Sequence, residues 1–144
     1  MLGKLFGKKS TQARAAVSKL ANRDLMEAVV YGSIYVAAGD GELEDSEMAA
    51  IETILGNNPA LQGFGAELSN TIDRAKTDFK SGKRILRQNA EKELKDLAHS
   101  PDEALTVLNV MLTVAEADGE IEDGEMVCLE RSAKLLGLNL KDHL

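Results

Sequence analysis

The residues of this chain whose number and spacing could do chemistry are carboxylates, and they come in two matched sets. Val36 to Met48 reads Val-Ala-Ala-Gly-Asp-Gly-Glu-Leu-Glu-Asp-Ser-Glu-Met. Val114 to Met126, 78 positions on, reads Val-Ala-Glu-Ala-Asp-Gly-Glu-Ile-Glu-Asp-Gly-Glu-Met, and nine of the thirteen positions are identical. An oxygen-only set of this kind offers ligands to a hard divalent cation, calcium or magnesium, rather than to zinc or copper. The shared pattern, Asp-Gly-x-aliphatic-x-x-x-Glu, matches the second half of an EF-hand loop, in which an acid precedes the turn glycine and a glutamate closes the loop. On that reading Asp40 and Asp118 ligate from the loops. Glu47 and Glu125, at the heads of the following helices, supply the closing carboxylates, with Glu44 and Glu122 as secondary candidates. Leu43 and Ile121 would anchor each loop to the core. The first half of an EF-hand is missing, because Val36, Ala38 and Val114 stand where acids belong, so a complete EF-hand is not expected.

Helix capping is the competing explanation, since acids at a helix start accept backbone N–H groups and suit the helix dipole. Capping accounts for one or two acids per start. It leaves unexplained five acids between Asp40 and Glu47, and five more between Asp118 and Glu125, with no basic residue among them. Charge so concentrated repels itself, so a cation or a basic partner segment is expected to meet it.

The elements that must position these loops read as helices. Leu25 to Ala38 is apolar on nearly all sides, as is the segment carrying Leu105, Leu108, Met111, Leu112 and Val114, and such helices are central and buried. Each is followed by an acidic loop and a shorter amphipathic helix, with Met48, Ile51 and Leu55 in the first unit and Met126, Leu129, Ala133 and Leu136 in the second. Gly56-Asn57-Asn58-Pro59 is expected to stop the first through a left-handed cap, and Gly137-Leu138 to end the second in a Schellman motif. Between the units, Phe64, Leu68, Ile72, Ala75 and Phe79 form a helical stripe, Ser81-Gly82 breaks it, and Ile85, Leu86, Ala90, Leu94 and Leu97 continue as another helix. Ser100-Pro101-Asp102-Glu103 reads as a capped helix start. The expectation is an all-α helical bundle of about seven helices, built from two quasi-repeats about a pseudo-two-fold axis. Residues 1–24 form a basic amphipathic segment and residues 25–144 the helical domain.

Composition narrows the function. The 144 residues are 44% apolar and 28% charged, which is globular, and only 3% are aromatic. A net charge of −7 and few aromatics exclude a nucleic-acid binder that stacks bases. The single cysteine, Cys128, allows no internal disulfide and no Cys-rich zinc site, and reads as a buried structural thiol. The longest uncharged runs, Ala28 to Gly39 and Ala104 to Ala115, are twelve residues each; a spanning helix needs about 20. No signal peptide is expected. Residues 1–23 hold six basic residues and no acid, which leaves open a solvated tail, a first helix laid on the core, or a segment resting on an anionic membrane surface. A second basic stretch, Arg74 to Lys95, sets eight cations against Asp78, Glu91 and Glu93 and reads as a solvated face, a docking surface for an acidic partner, or a self-association surface. His99, His143 and Cys128 form no catalytic constellation, so no enzyme and no small-molecule substrate are expected.

The order of elements from Leu25 to Leu138, with both Asp-Gly-x-aliphatic-x-x-x-Glu motifs, resembles the tellurite-resistance TerB family, whose fold also occurs in the N-terminal region of a DnaJ-like membrane co-chaperone. The resemblance implies a helical bundle of two quasi-repeats with an acidic metal site, carried here by Asp40, Glu47, Asp118 and Glu125. It also implies a non-enzymatic bacterial stress-response role in the cytoplasm, at or near the inner face of the membrane, with protein partners. The alternative is a metal-independent adaptor whose acidic loops bind a basic partner.

Overall fold

The computed structural model describes residues 23–117 and 119–144. Among them are six α-helices and three 3₁₀ turns and no strand; the sequence reading expected about seven helices. The helices are α1 (residues 23–37), α2 (Asp45–Gly56), α3 (Ala66–Ser81), α4 (Lys83–Lys95), α5 (Pro101–Glu116) and α6 (Asp123–Leu135). The basic N-terminal segment, apart from Arg23 and Asp24, lies outside the described residues, as does Asp118.

The two all-apolar segments are the centre of the molecule. In α1 every residue from Leu25 to Ala37 except Glu27 is buried, and α5 buries Ala104, Val107, Leu108, Val110, Met111, Leu112, Val114 and Ala115. The two meet at Gly32: a Cβ there would lie 2.8 Å from the Met111 sulfur, so a larger residue would require the Met111 side chain to move. Removing a fully buried side chain such as Leu108 or Ile34 down to alanine would cost about 2–5 kcal/mol. The α3–α4 hairpin lies against this centre, burying Ile72, Ala75, Leu86, Ala90 and Leu94 and turning its basic residues outward.

Several local expectations are corrected. Gly56 and Asn57 do not make a left-handed cap; Asn57 is right-handed, and the chain leaves through Asn58, whose side chain accepts from the Ala60 N–H at 2.9 Å and starts the Pro59–Leu61 turn. Ser100 occupies the cap position of α5, but its hydroxyl makes no cap bond. Phe64 precedes α3 instead of opening it, and Ile85 is 43% exposed because it falls on the outer side of α4. The end of α6 is the Schellman motif: Gly137 has φ +76°, its N–H donates to the Lys134 carbonyl at 3.0 Å, and the Leu138 N–H donates to the Ala133 carbonyl at 2.8 Å.

Candidate functional site

Among the described residues, the two acidic loops repeat the same turn and cap conformations. Gly41 and Gly119 both adopt the left-handed region, at φ +94° and +103°, where side-chain-bearing residues are strained. Each closes the same turn, with its N–H 2.9 Å from the carbonyl three residues back, Ala38 or Glu116. Glu44 and Glu122 take the N-cap positions of α2 and α6 in the same extended conformation, and their carbonyls accept from Met48 and Met126 at 3.0 and 2.8 Å. Leu43 and Ile121 are half-buried against the core, as their anchoring role requires.

The two loops are brought together by a backbone contact. The Ala38–Asp40 turn lies on the head of α6, with Gly39 against Gly124. A Cβ on Gly39 would meet the Gly124 carbonyl oxygen at 2.8 Å, and a Cβ on Gly124 would run into the Gly39 carbonyl oxygen. Neither obstacle is a flexible side chain, so both positions require glycine.

This packing unites two of the sequence-predicted carboxylates and separates a third. Glu47 and Glu125, both half-buried, line one small cavity with Ala37, Ile51, Val114 and Ala117. Its volume is about 20 Å³, room for one particle the size of a water or an ion. Glu125 also caps its own helix, accepting the Glu122 N–H at 3.0 Å through Oε1. Asp40 is exposed, accepts the Glu42 N–H at 3.0 Å, and lines a different and larger cavity. Glu44 and Glu122 are exposed at their cap positions. Asp118 lies outside the described residues; among those described, no three His, Cys, Asp or Glu side chains gather as a metal-holding group. Among the described residues, Glu47 and Glu125 are thus the two sequence-predicted carboxylates that share a cavity, and carboxylate oxygens are the ligand type a hard cation takes.

Other polar groupings went unrecognised in the sequence. Glu91 accepts from the Nε of both Arg87 (3.3 Å) and Arg131 (2.8 Å) through one oxygen. Burial works to raise its carboxyl, but Arg131 and then Arg87 outweigh that and hold it below the usual range. The i,i+4 spacing of Arg87 and Glu91 was a usable signal; the approach of Arg131 was not. Tyr31 donates to Asp78 at 2.7 Å, Asn89 donates to the same carboxylate oxygen at 2.9 Å, and Arg74 donates to the Tyr31 hydroxyl at 3.2 Å. Burial, with the Asp78 bond, pushes the Tyr31 phenol up to about 12. Cys128, expected to be buried, is half-buried and lines the larger cavity; partial burial still pushes its thiol up.

A family model described as "Tellurite resistance protein TerB" matches residues 26–143. The chain belongs to the TerB family. No curated protein and no solved structure gives a match. The matched residues of this TerB-family chain span both acidic loops and all the packing just described, and residues 1–25 precede them. No helix among the described residues is long and apolar enough to cross a membrane.

Proposed function

We propose that this TerB-family protein is a non-enzymatic stress-response protein of the tellurite-resistance type whose duplicated loops hold a hard divalent cation. The observation that carries this reading is the meeting of Glu47 and Glu125, the closing carboxylates of separate repeats, at one ion-sized cavity. Carboxylates that line one small cavity offer oxygen ligands of the kind a hard divalent cation takes. Because the ligands come from α2 and α6, occupancy ties the two repeats together, and ion concentration becomes a signal that the helical scaffold can pass to a protein partner in the cytoplasm.

Calcium is the first ion to test. Titration of the ¹⁵N-labelled chain with calcium is expected to give saturable shifts at residues 47 and 125 at or below about millimolar concentration. An unchanged spectrum with both calcium and magnesium overturns the metal reading. A second reading, a metal-independent adaptor, is favoured by the exposure of Glu42, Glu44, Asp45, Glu120, Glu122 and Asp123, which leaves most of the loop charge facing solvent. Charge reversal at Glu44 and Glu122 would then abolish binding of a lysine-rich peptide without lowering the melting temperature. The metal reading instead leaves the calcium response of that variant largely intact.

A further inference from the structure

On the other side of the Ala38–Asp40 turn lies a cavity of about 500 Å³, within the range of small-molecule pockets. Tyr35, Phe79, Leu86 and Cys128 give it an apolar interior, and Val127, 66% exposed, stands at its edge. Three cations line it: Lys83, Arg87 and Arg131.

The two arginines are held in an unusual way. Guanidinium groups repel one another, yet these share a single carboxylate oxygen of Glu91, whose side chain is 14% exposed while theirs are 56% and 49% exposed. Both donate through Nε. Their terminal Nη groups, four N–H donors on each, meet no acceptor among the described residues. That is the fork geometry with which arginine grips phosphate or carboxylate oxygens. Lys83 arches over the turn, its ammonium 2.7 Å from where a Gly41 Cβ would stand, and has no carboxylate partner among the described residues. On the cavity wall itself three cations stand with one carboxylate, Asp40, in a chain whose net charge is −7; Glu91 holds the two arginines from outside the wall, and the Glu125 charge is felt at Cys128. Helix α4 also begins here with Lys83 and Arg84 and no acid in its first turn, which sets cations against the positive end of the helix dipole. An anion at this place would relieve that repulsion.

We propose that this cavity binds a small organic anion, a phosphate monoester carrying an apolar or aromatic group. Its oxygens would take the Nη donors of Arg87 and Arg131 and the ammonium of Lys83, and its apolar body would lie against Tyr35, Phe79 and Leu86. Glu91 positions the two guanidinium groups and does not touch the ligand. The doubly charged headgroup answers the cation cluster, and the apolar interior separates such a ligand from inorganic phosphate.

Phenyl phosphate is the probe, titrated into the full ¹⁵N-labelled chain at constant ionic strength and without divalent metal. Saturable shifts are expected at Gly41, Lys83, Cys128 and Arg131, with binding at least about tenfold tighter than that of inorganic phosphate. Arg87→Gln and Arg131→Gln, at exposed positions, should each weaken binding about tenfold while leaving the melting temperature nearly unchanged. Glu91→Gln should weaken it less than either. No saturable shift, or shifts that persist unchanged in both arginine variants, overturns the proposal. Equal affinity for phenyl phosphate and inorganic phosphate overturns its organic half. The titration holds no divalent metal and reads a cavity other than that of Glu47 and Glu125, so its outcome does not depend on the metal reading.

Discussion

In the first acidic loop the chain leaves α1 through the Ala38–Asp40 turn and lies directly on the head of α6; in the second it leaves α5 at Glu116, and the equivalent residue, Ala117, is exposed. The local conformations of the two loops are nearly the same: the glycine dihedrals, the turn hydrogen bonds and the cap residues all repeat. What differs is assembly. Of the four positions at which the repeats depart from identity, two are Gly39 (Ala117 in the second unit) and Gly124 (Ser46 in the first), and these two touch. Repeated residues therefore encode the loop, and unrepeated ones dock one loop on the other. The small cavity of Glu47 and Glu125 is a product of that docking, since it is lined from α2, α6 and the ends of α1 and α5.

Exchanging the unrepeated residues breaks the comparison most directly. Gly124→Ser, which copies the first repeat into the second, forces a Cβ into the Gly39 backbone and should cost about 2 kcal/mol in urea unfolding. The reverse copy, Ser46→Gly, changes only helix propensity at an exposed position and should cost about 0.5 kcal/mol. Equal effects would refute the docking role. Next in size, Glu125→Ala should cost about 1 kcal/mol in metal-free buffer, because it removes the side-chain acceptor that holds the Glu122 N–H.

The pH dependence of stability reports on Glu93, away from both loops. Burial, then the neighbouring Glu27 and Asp96 carboxylates, push Glu93 up from 4.5 to about 7. Between those values the folded chain keeps a proton that the unfolded chain releases, so stability falls as pH rises through the window and levels off above it. Glu93 is only half-buried, so after solvent screening the loss is about 1 kcal/mol. Glu93→Gln should flatten this slope in thermal melts at pH 5 to about 8. A comparably small effect belongs to Asp40→Ala, which loses the bond from the Glu42 N–H and should cost about 0.5 kcal/mol.

Most of the fold was legible in the residues. The apolar runs of α1 and α5 announce central helices, the spacing from Leu68 to Phe79 announces α3, and Gly137-Leu138 announces the end of α6. The candidate site was legible as a residue set but not as a place. Helical period says which face Glu47 and Glu125 share with their neighbours; it does not say that α2 and α6 bring them to one cavity, or that Asp40 turns toward another. Those outcomes depend on close backbone approach, which a motif cannot express. Likewise, Arg131 reaches Glu91 from forty residues away, and Tyr31 reaches Asp78 from forty-seven. Each contact needs the helix packing to be known first.

The central claim is that Glu47 and Glu125 act on one cation together, and calorimetric calcium titration of a double-mutant cycle tests it most directly. The account predicts one ion per chain, a large and similar loss of affinity in Glu47→Gln and Glu125→Gln, and little further loss in the double variant. Two ions per chain, or independent losses that add in the double variant, would contradict it.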